Sequence, residues 1–214
     1  MRGFFAEKTQ ISAETTLEVG MENYSVYEDI ASRTNGDIYI GVVGPVRTGK
    51  STFIKRFMEQ LVIPSADESR RAVMTDELPQ SAAGRTVMTT EPKFVPAQAA
   101  KISIREGAEA SVRLVDCVGF AVEGAGGFDE DGAPRLIKTP WSEQAMPFEK
   151  AAKLGTEKVI REHSTIGILM TTDGSITDIP RSAYVAAEEH AAEELKRVSY
   201  THLRAHETDQ YLVC

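Results

Sequence analysis

A three-layer α/β domain is what this 214-residue sequence predicts, on three observations. Short apolar runs of strand length alternate along the chain with amphipathic helical stretches, the order that builds a sheet with helices packed on it. One run, TIGILMT over 165–171, is almost continuously apolar, the pattern of a strand buried on both sheet faces. A glycine-bracketed turn at 44–51 joins the first strand directly to a helix.

Composition narrows the class. A net charge of −8 and a pI near 5.1 argue against nucleic acid as a partner, because phosphate contact needs clustered lysine and arginine. No apolar run approaches the ~20 residues of a transmembrane helix, and the first eighteen residues lack a signal-peptide core. Two cysteines, Cys117 and Cys214, form no disulfide framework, which suits a reducing cytoplasm.

The elements follow in order. Residues 1–20 are polar, Thr-rich and without a period, and are expected to be a non-native or disordered extension. From Met21, the spacing of Tyr24, Tyr27, Ile30 and Ala31 predicts a helix stopped by Asn35-Gly36. A strand over 37–43 precedes the glycine-bracketed turn, and a helix then runs to about Leu61, ended by Val62-Ile63-Pro64-Ser65. Residues 66–85 read as a partly helical, mobile connection. Short strands are expected at 93–95, 101–105 and 111–115, then a long Gly-rich acidic loop over 120–140. Phe148, Ala151, Ala152, Val159 and Ile160 form the apolar face of a helix ending near His163. After the strand at 165–171 comes a helix over 181–198, with Tyr184, Ala191, Leu195 and Val198 on one side. Residues 199–214 fit neither period and are read as foreign to the domain. His202 and His206 there have zinc-pair spacing but no further ligands nearby, and are read as solvated. The domain is thus expected to span 21–198 and to be incomplete at its C-terminal side.

The turn at 44–51 carries the chemistry. Gly44-Pro45-Val46-Arg47-Thr48-Gly49-Lys50-Ser51, followed by Thr52, spells the phosphate-binding loop G-x-x-x-x-G-K-S between a strand and a helix. Gly44 and Gly49 let successive N–H groups turn toward an anion, and the helix N-terminus adds partial positive charge. Lys50 is expected on the β- and γ-phosphates and Ser51 on Mg²⁺. The predicted fold is therefore a P-loop NTPase. At the end of the strand ValArgLeuVal stands Asp116-Cys117-Val118-Gly119, a D-x-x-G in which Asp116 holds Mg²⁺ and the Gly119 N–H meets the γ-phosphate. Between these motifs, Thr90 is a candidate for completing the Mg²⁺ shell, and Thr89 and Thr90 stand where a γ-phosphate contact belongs. Their spacing alone fits a Thr-rich sheet edge as readily. Arg47 and Arg85 are candidate cations for the γ-phosphate, with surface arginine the plainer reading. Many GTPases place a glutamine after D-x-x-G to position water; Phe120 stands there and cannot do so. The water must then be held by Thr89 or Thr90, a backbone carbonyl or a neighbouring subunit, and turnover should be slow. The loop Gly124–Asp129 is either a cover for the site or a surface insertion.

The stretches GVVGPVRTGKSTFIKRFME, DELPQSAAGRTVMTTEPKFVP and VRLVDCVGF, the TPW at 139–141, and REHSTIGILMTTDGSITDI together resemble the stage IV sporulation protein A family of endospore-forming bacteria. The resemblance covers about Met21 to Val198. It implies a GTPase-like fold that hydrolyses ATP with Mg²⁺, with hydrolysis driving self-assembly into a static polymer. That polymer coats the outer surface of the forespore, in the mother-cell cytoplasm, as the basement layer of the spore coat. The resemblance assigns Lys50 to the phosphate loop, Thr89 and Thr90 to γ-phosphate sensing and hydrolysis, and Asp116 to Mg²⁺. It implies as partners further copies of the chain, other coat-morphogenetic proteins and a small amphipathic membrane-bound peptide. This sequence stops before the family's base-specificity strand and its later domains, so ATP over GTP rests on the resemblance. A GTPase-type switch and a nucleotide-binding scaffold with negligible turnover are the competing readings.

Overall fold

Successive side chains of a strand point to opposite faces, so a strand with two adjacent fully buried valines needs cover on both sides. The first strand, β1 (Asp37–Val43), ends this way at Val42 and Val43. A computed structural model of the chain describes residues 36–79, 90–105, 108–130, 132–175 and 178–202, of which Asp37–Val198 forms one compact unit. Readings that fall on 1–35, 80–89 and 203–214, including the first helix, Arg85, Thr89 and His206, lie outside the described residues.

β1 pairs in parallel with β3 (Ala108–Asp116) on one side and β8 (Ile166–Leu169) on the other, and β2 (Lys93–Arg105) lies antiparallel to β3. The sheet order is β2-β3-β1-β8. On one face Val42, Val95, Val112 and Leu114 pack with Ile54, Met58 and Val62 of the helix α1 (Lys50–Phe57) and its continuation, and with Met74 of α2 (Glu68–Asp76). On the other, Val43 and Val115 pack with Val159 and Ile160 of α3 (Phe148–Glu162) and with Tyr184 and Ala191 of α4 (Arg181–His202). Arg161 of α3 ties the two helices together, its Nε donating to the buried Glu194 of α4 at 2.9 Å. The sheet is thus covered by helices on both faces.

Several expectations need correction. The strands expected at 93–95 and 101–105 are one strand, β2, with the register slipping between Val95 and Ala100. Pro96 sits in that slip, where its missing N–H costs no ladder bond. The long loop expected over 120–140 contains one small antiparallel ladder, β4 (Asp129–Glu130) with β5 (Ala133–Pro134), and the strand β6 (Leu136–Thr139), which pairs with β7 (Ser142–Pro147) just beyond it. The apolar run at 165–171 is not a doubly buried strand. Only Ile166–Leu169 is strand, and Ile166 is 49% exposed, because among the described residues nothing pairs with the outer side of β8. An open edge of this kind is a site for unwanted pairing. The helix after the phosphate loop widens into a π turn over Met58–Val62 and tightens at Ile63–Ser65, so it overshoots Leu61.

The two-sided core yields a direct check. Ile54→Ala should lower unfolding stability by about 2–5 kcal/mol, because Ile54 is fully buried under the sheet. Leu136→Ala, at a largely exposed position, should stay within about 0.5 kcal/mol. Urea melts of both variants would show equal costs if α1 did not pack as described.

Candidate functional site

β1 delivers the chain to Gly44 from inside the core, and α1 takes it up again at Lys50. The turn between them is short, so it closes through left-handed backbone at Gly49 (φ 87°) and at Arg47 (φ 62°). No side chain caps the N-terminus of α1, which leaves its first N–H groups open to an anion. The Pro45 carbonyl accepts from the Thr48 hydroxyl at 3.0 Å and from Lys50 Nζ at 2.5 Å. Lys50 is only 4% exposed. Burial pulls its pKa below the ordinary lysine value, and neighbouring Cys117 and Asp116 oppose that pull. The lysine therefore lies back along its own loop, an ammonium in want of an anionic partner.

A carboxylate comes near it from β3 without pairing directly with it. The register sets Asp116 beside Val42, two residues before the turn begins. Its Oδ2 accepts from Ser51 Oγ at 2.9 Å, while its Oδ1 is buried with no hydrogen-bond partner within 3.5 Å among the described residues. Burial raises the Asp116 pKa, with the Ser51 hydrogen bond and the Lys50 charge working against it. A carboxylate oxygen left unmatched beside a serine hydroxyl suits a hard cation that takes one or two protein oxygens and keeps the rest for water or phosphate. Ser51 and Asp116 therefore fit Mg²⁺. Cys117 does not belong to that set. Burial pushes its thiol up to about 11, so it stays protonated and donates to the Val42 carbonyl at 3.5 Å.

Beyond Asp116 the chain is strapped to the phosphate loop. The Phe120 N–H donates to the Gly44 carbonyl at 3.1 Å, and the Val46 N–H donates to the Phe120 carbonyl at 2.9 Å. A side chain at Gly119 would put its Cβ 2.4 Å from the Gly44 oxygen and 2.5 Å from Lys50 Nζ, so only glycine passes between them. The Gly119 N–H donates to Thr156 Oγ1 at 3.1 Å. The Phe120 ring is buried in the core, in the same cluster as Val46 and edge-on to His190 at 4.8 Å between centroids. Thr90 is buried, and its carbonyl faces Gly155 of α3. Thr52 and Arg47 are exposed, and the Arg47 guanidinium comes near Gly126 of the Gly124–Asp129 segment. The structure thus brings together Lys50, Ser51, Asp116 and Gly119 and sets Thr90 against α3, whereas Thr89 and Arg85 lie outside the described residues. The sequence reading missed Gly155 and Thr156. Their one signal is a threonine on the apolar face of α3, four residues after Ala152, to whose carbonyl it bonds at 2.8 Å.

Comparison with known proteins shows the family. The family described as Stage IV sporulation protein A, ATPase domain, matches residues 21–208, and so reaches into the segment read as foreign. The chain is 61% identical over 179 residues to stage IV sporulation protein A of Bacillus anthracis. It is 59% identical over 179 residues to that of Bacillus subtilis (strain 168), and 59% identical over 177 residues to that of Clostridioides difficile (strain 630). These alignments cover 82–83% of this chain but 36% of each relative, so the chain spans about a third of their length. No solved structure matches it. No helix among the described residues is long and apolar enough to cross a membrane. With a family match over most of its length and a phosphate loop facing a partly buried aspartate, the chain belongs to the stage IV sporulation protein A family and carries its ATPase domain.

Proposed function

We propose that this chain binds ATP with Mg²⁺ and hydrolyses it slowly, on a GTPase-like P-loop NTPase fold. We further propose that the turnover drives self-assembly into a static polymer at the forespore surface, in the mother-cell cytoplasm, as the foundation of the spore coat. Other coat-morphogenetic proteins and a small amphipathic membrane-bound peptide are its proposed partners, with no role for nucleic acid. The observation that carries the enzymatic part is the 2.9 Å contact between Ser51 and Asp116, with the unmatched Asp116 Oδ1 beside it. Two motifs remote in sequence meet where a triphosphate tail would need them.

The residues divide the work. Lys50 exchanges the Pro45 carbonyl for phosphate oxygens and neutralises their charge, joined by the open N–H groups at the start of α1. Ser51 and Asp116 hold Mg²⁺, which when bound offsets phosphate charge and fixes the orientation of the tail. Thr90, with Thr89, contacts the γ-phosphate and holds the attacking water. Phe120 takes no part in orienting water, since its ring is in the core. This is the physical ground for slow turnover.

Lys50→Ala should weaken ATP binding about tenfold to a hundredfold, the loss expected for charge-assisted contacts of roughly 1.5–3 kcal/mol. Thr89→Ala/Thr90→Ala should keep ATP affinity and lose at least about tenfold in phosphate release. Equilibrium titration alongside single-turnover release separates the two, and an equal loss of affinity in both variants would contradict the division of roles. In competition, ATP should displace bound nucleotide more effectively than GTP. Strong selectivity for GTP would favour a switch-type GTPase instead.

A further inference from the structure

We propose that the adjacent pair Gly155–Thr156 on α3 positions two of the γ-phosphate contacts of the site, Thr90 through Gly155 and Gly119 through Thr156, with the Thr156 hydroxyl competing against the γ-phosphate for the Gly119 N–H. The inference rests on the nucleotide-binding reading above and adds residues to which that reading gives no role.

The two contacts are of different kinds. At Gly155 the contact is steric. A Cβ there would lie 2.6 Å from the Thr90 carbonyl oxygen, a backbone atom that cannot swing aside as a side-chain tip would. Thr90 can keep its place only because α3 lacks a side chain at that point. Trp141, from the turn between β6 and β7, flanks the same spot, with Cζ2 3.7 Å from the position of that Cβ. The Thr90 backbone is thus seated against α3 at Gly155.

At Thr156 the contact is a hydrogen bond. The fully buried hydroxyl donates to the Ala152 carbonyl at 2.8 Å and accepts the Gly119 N–H at 3.1 Å. A single N–H cannot give a full hydrogen bond to two acceptors in different directions. With no γ-phosphate the N–H stays on Thr156, and a triphosphate must draw it away. The Phe120 strap to Gly44 and Val46 keeps Gly119 beside Lys50 throughout, so the exchange requires only a small rotation of the Val118–Gly119 peptide. One turn of α3 therefore reads the γ-phosphate through both halves of the site, and α3 packs on α4 through Arg161 and Glu194.

Because the contacts differ, substitutions at neighbouring positions should act in opposite directions, which general damage to α3 would not produce. The 214-residue chain is titrated with ADP and with the β,γ-imido analogue of ATP. Thr156→Val removes the competing acceptor, and should improve the preference for the triphosphate analogue over ADP about threefold to tenfold, the weight of one hydrogen bond. Thr156→Ser keeps the acceptor and should keep the wild-type ratio. Gly155→Ala should displace Thr90 and reduce the same ratio at least about threefold, with ADP affinity held within about twofold. A readout independent of any variant is the Gly119 amide resonance of the ¹⁵N-glycine-labelled wild type, which should shift between the ADP and analogue complexes. Equal ratios in all variants, or changes of the same sign at 155 and 156, would overturn the proposal, as would an unmoved Gly119 resonance. If the wild-type chain bound neither nucleotide, the proposed function would fall and this inference with it. Binding with unaltered ratios would sink only the inference.

Discussion

A lysine ammonium and an aspartate carboxylate, both largely removed from water beside the ends of two adjacent parallel strands, constrain the rest of this structure. Charges in such a place are costly unless each finds a partner. Here the partners are incomplete. Lys50 makes do with a carbonyl of its own loop, and one buried Asp116 oxygen finds no hydrogen bond within 3.5 Å among the described residues. A fold retains this arrangement when a ligand supplies what is missing: negative charge for the lysine and a cation for the carboxylate. The parallel pairing of β1 with β3 brings the two side chains together, and the valines on either face of those strands anchor the pairing in the core.

Much of this was legible in the sequence, for identifiable reasons. The phosphate loop, the first strand and the helix after it follow from local rules: a glycine-bracketed turn, an apolar run before it and a helical period after it. The second strand with Asp116 at its end was equally plain. What could not be read were relations between distant segments. The run at 165–171 has the composition of a central strand, yet Ile166 is half exposed, because burial depends on whether another strand lies outside β8 and not on the run itself. The strands within 120–140 escaped notice because the Gly-rich, acidic composition of that stretch hides strands of two to four residues. Thr156 looked like one polar residue on a helix face, and only the fold reveals Gly119 at its hydroxyl.

Phe120 shows how one substitution in a motif reshapes the chemistry around it. A glutamine after D-x-x-G would be polar and would face the nucleotide. The phenyl ring goes instead to the core against His190, while its backbone laces the loop to Gly44 and Val46. The same residue thus forfeits a role in positioning water and gains one in holding Gly119 beside Lys50. The side chain bears on the proposed slow turnover and the backbone on the held loop, and both suit a protein whose hydrolysis is proposed to accompany assembly rather than rapid cycling.

The central claim is that Ser51 and Asp116 jointly hold the metal that accompanies the phosphates. The most direct measurement is calorimetric titration of ADP with and without Mg²⁺, in the wild type, Ser51→Ala and Asp116→Asn. The account predicts that Mg²⁺ tightens binding about tenfold or more in the wild type, and that either substitution removes most of that gain while metal-free affinity stays near the wild-type value. A gain from Mg²⁺ that survived undiminished in both variants would contradict it.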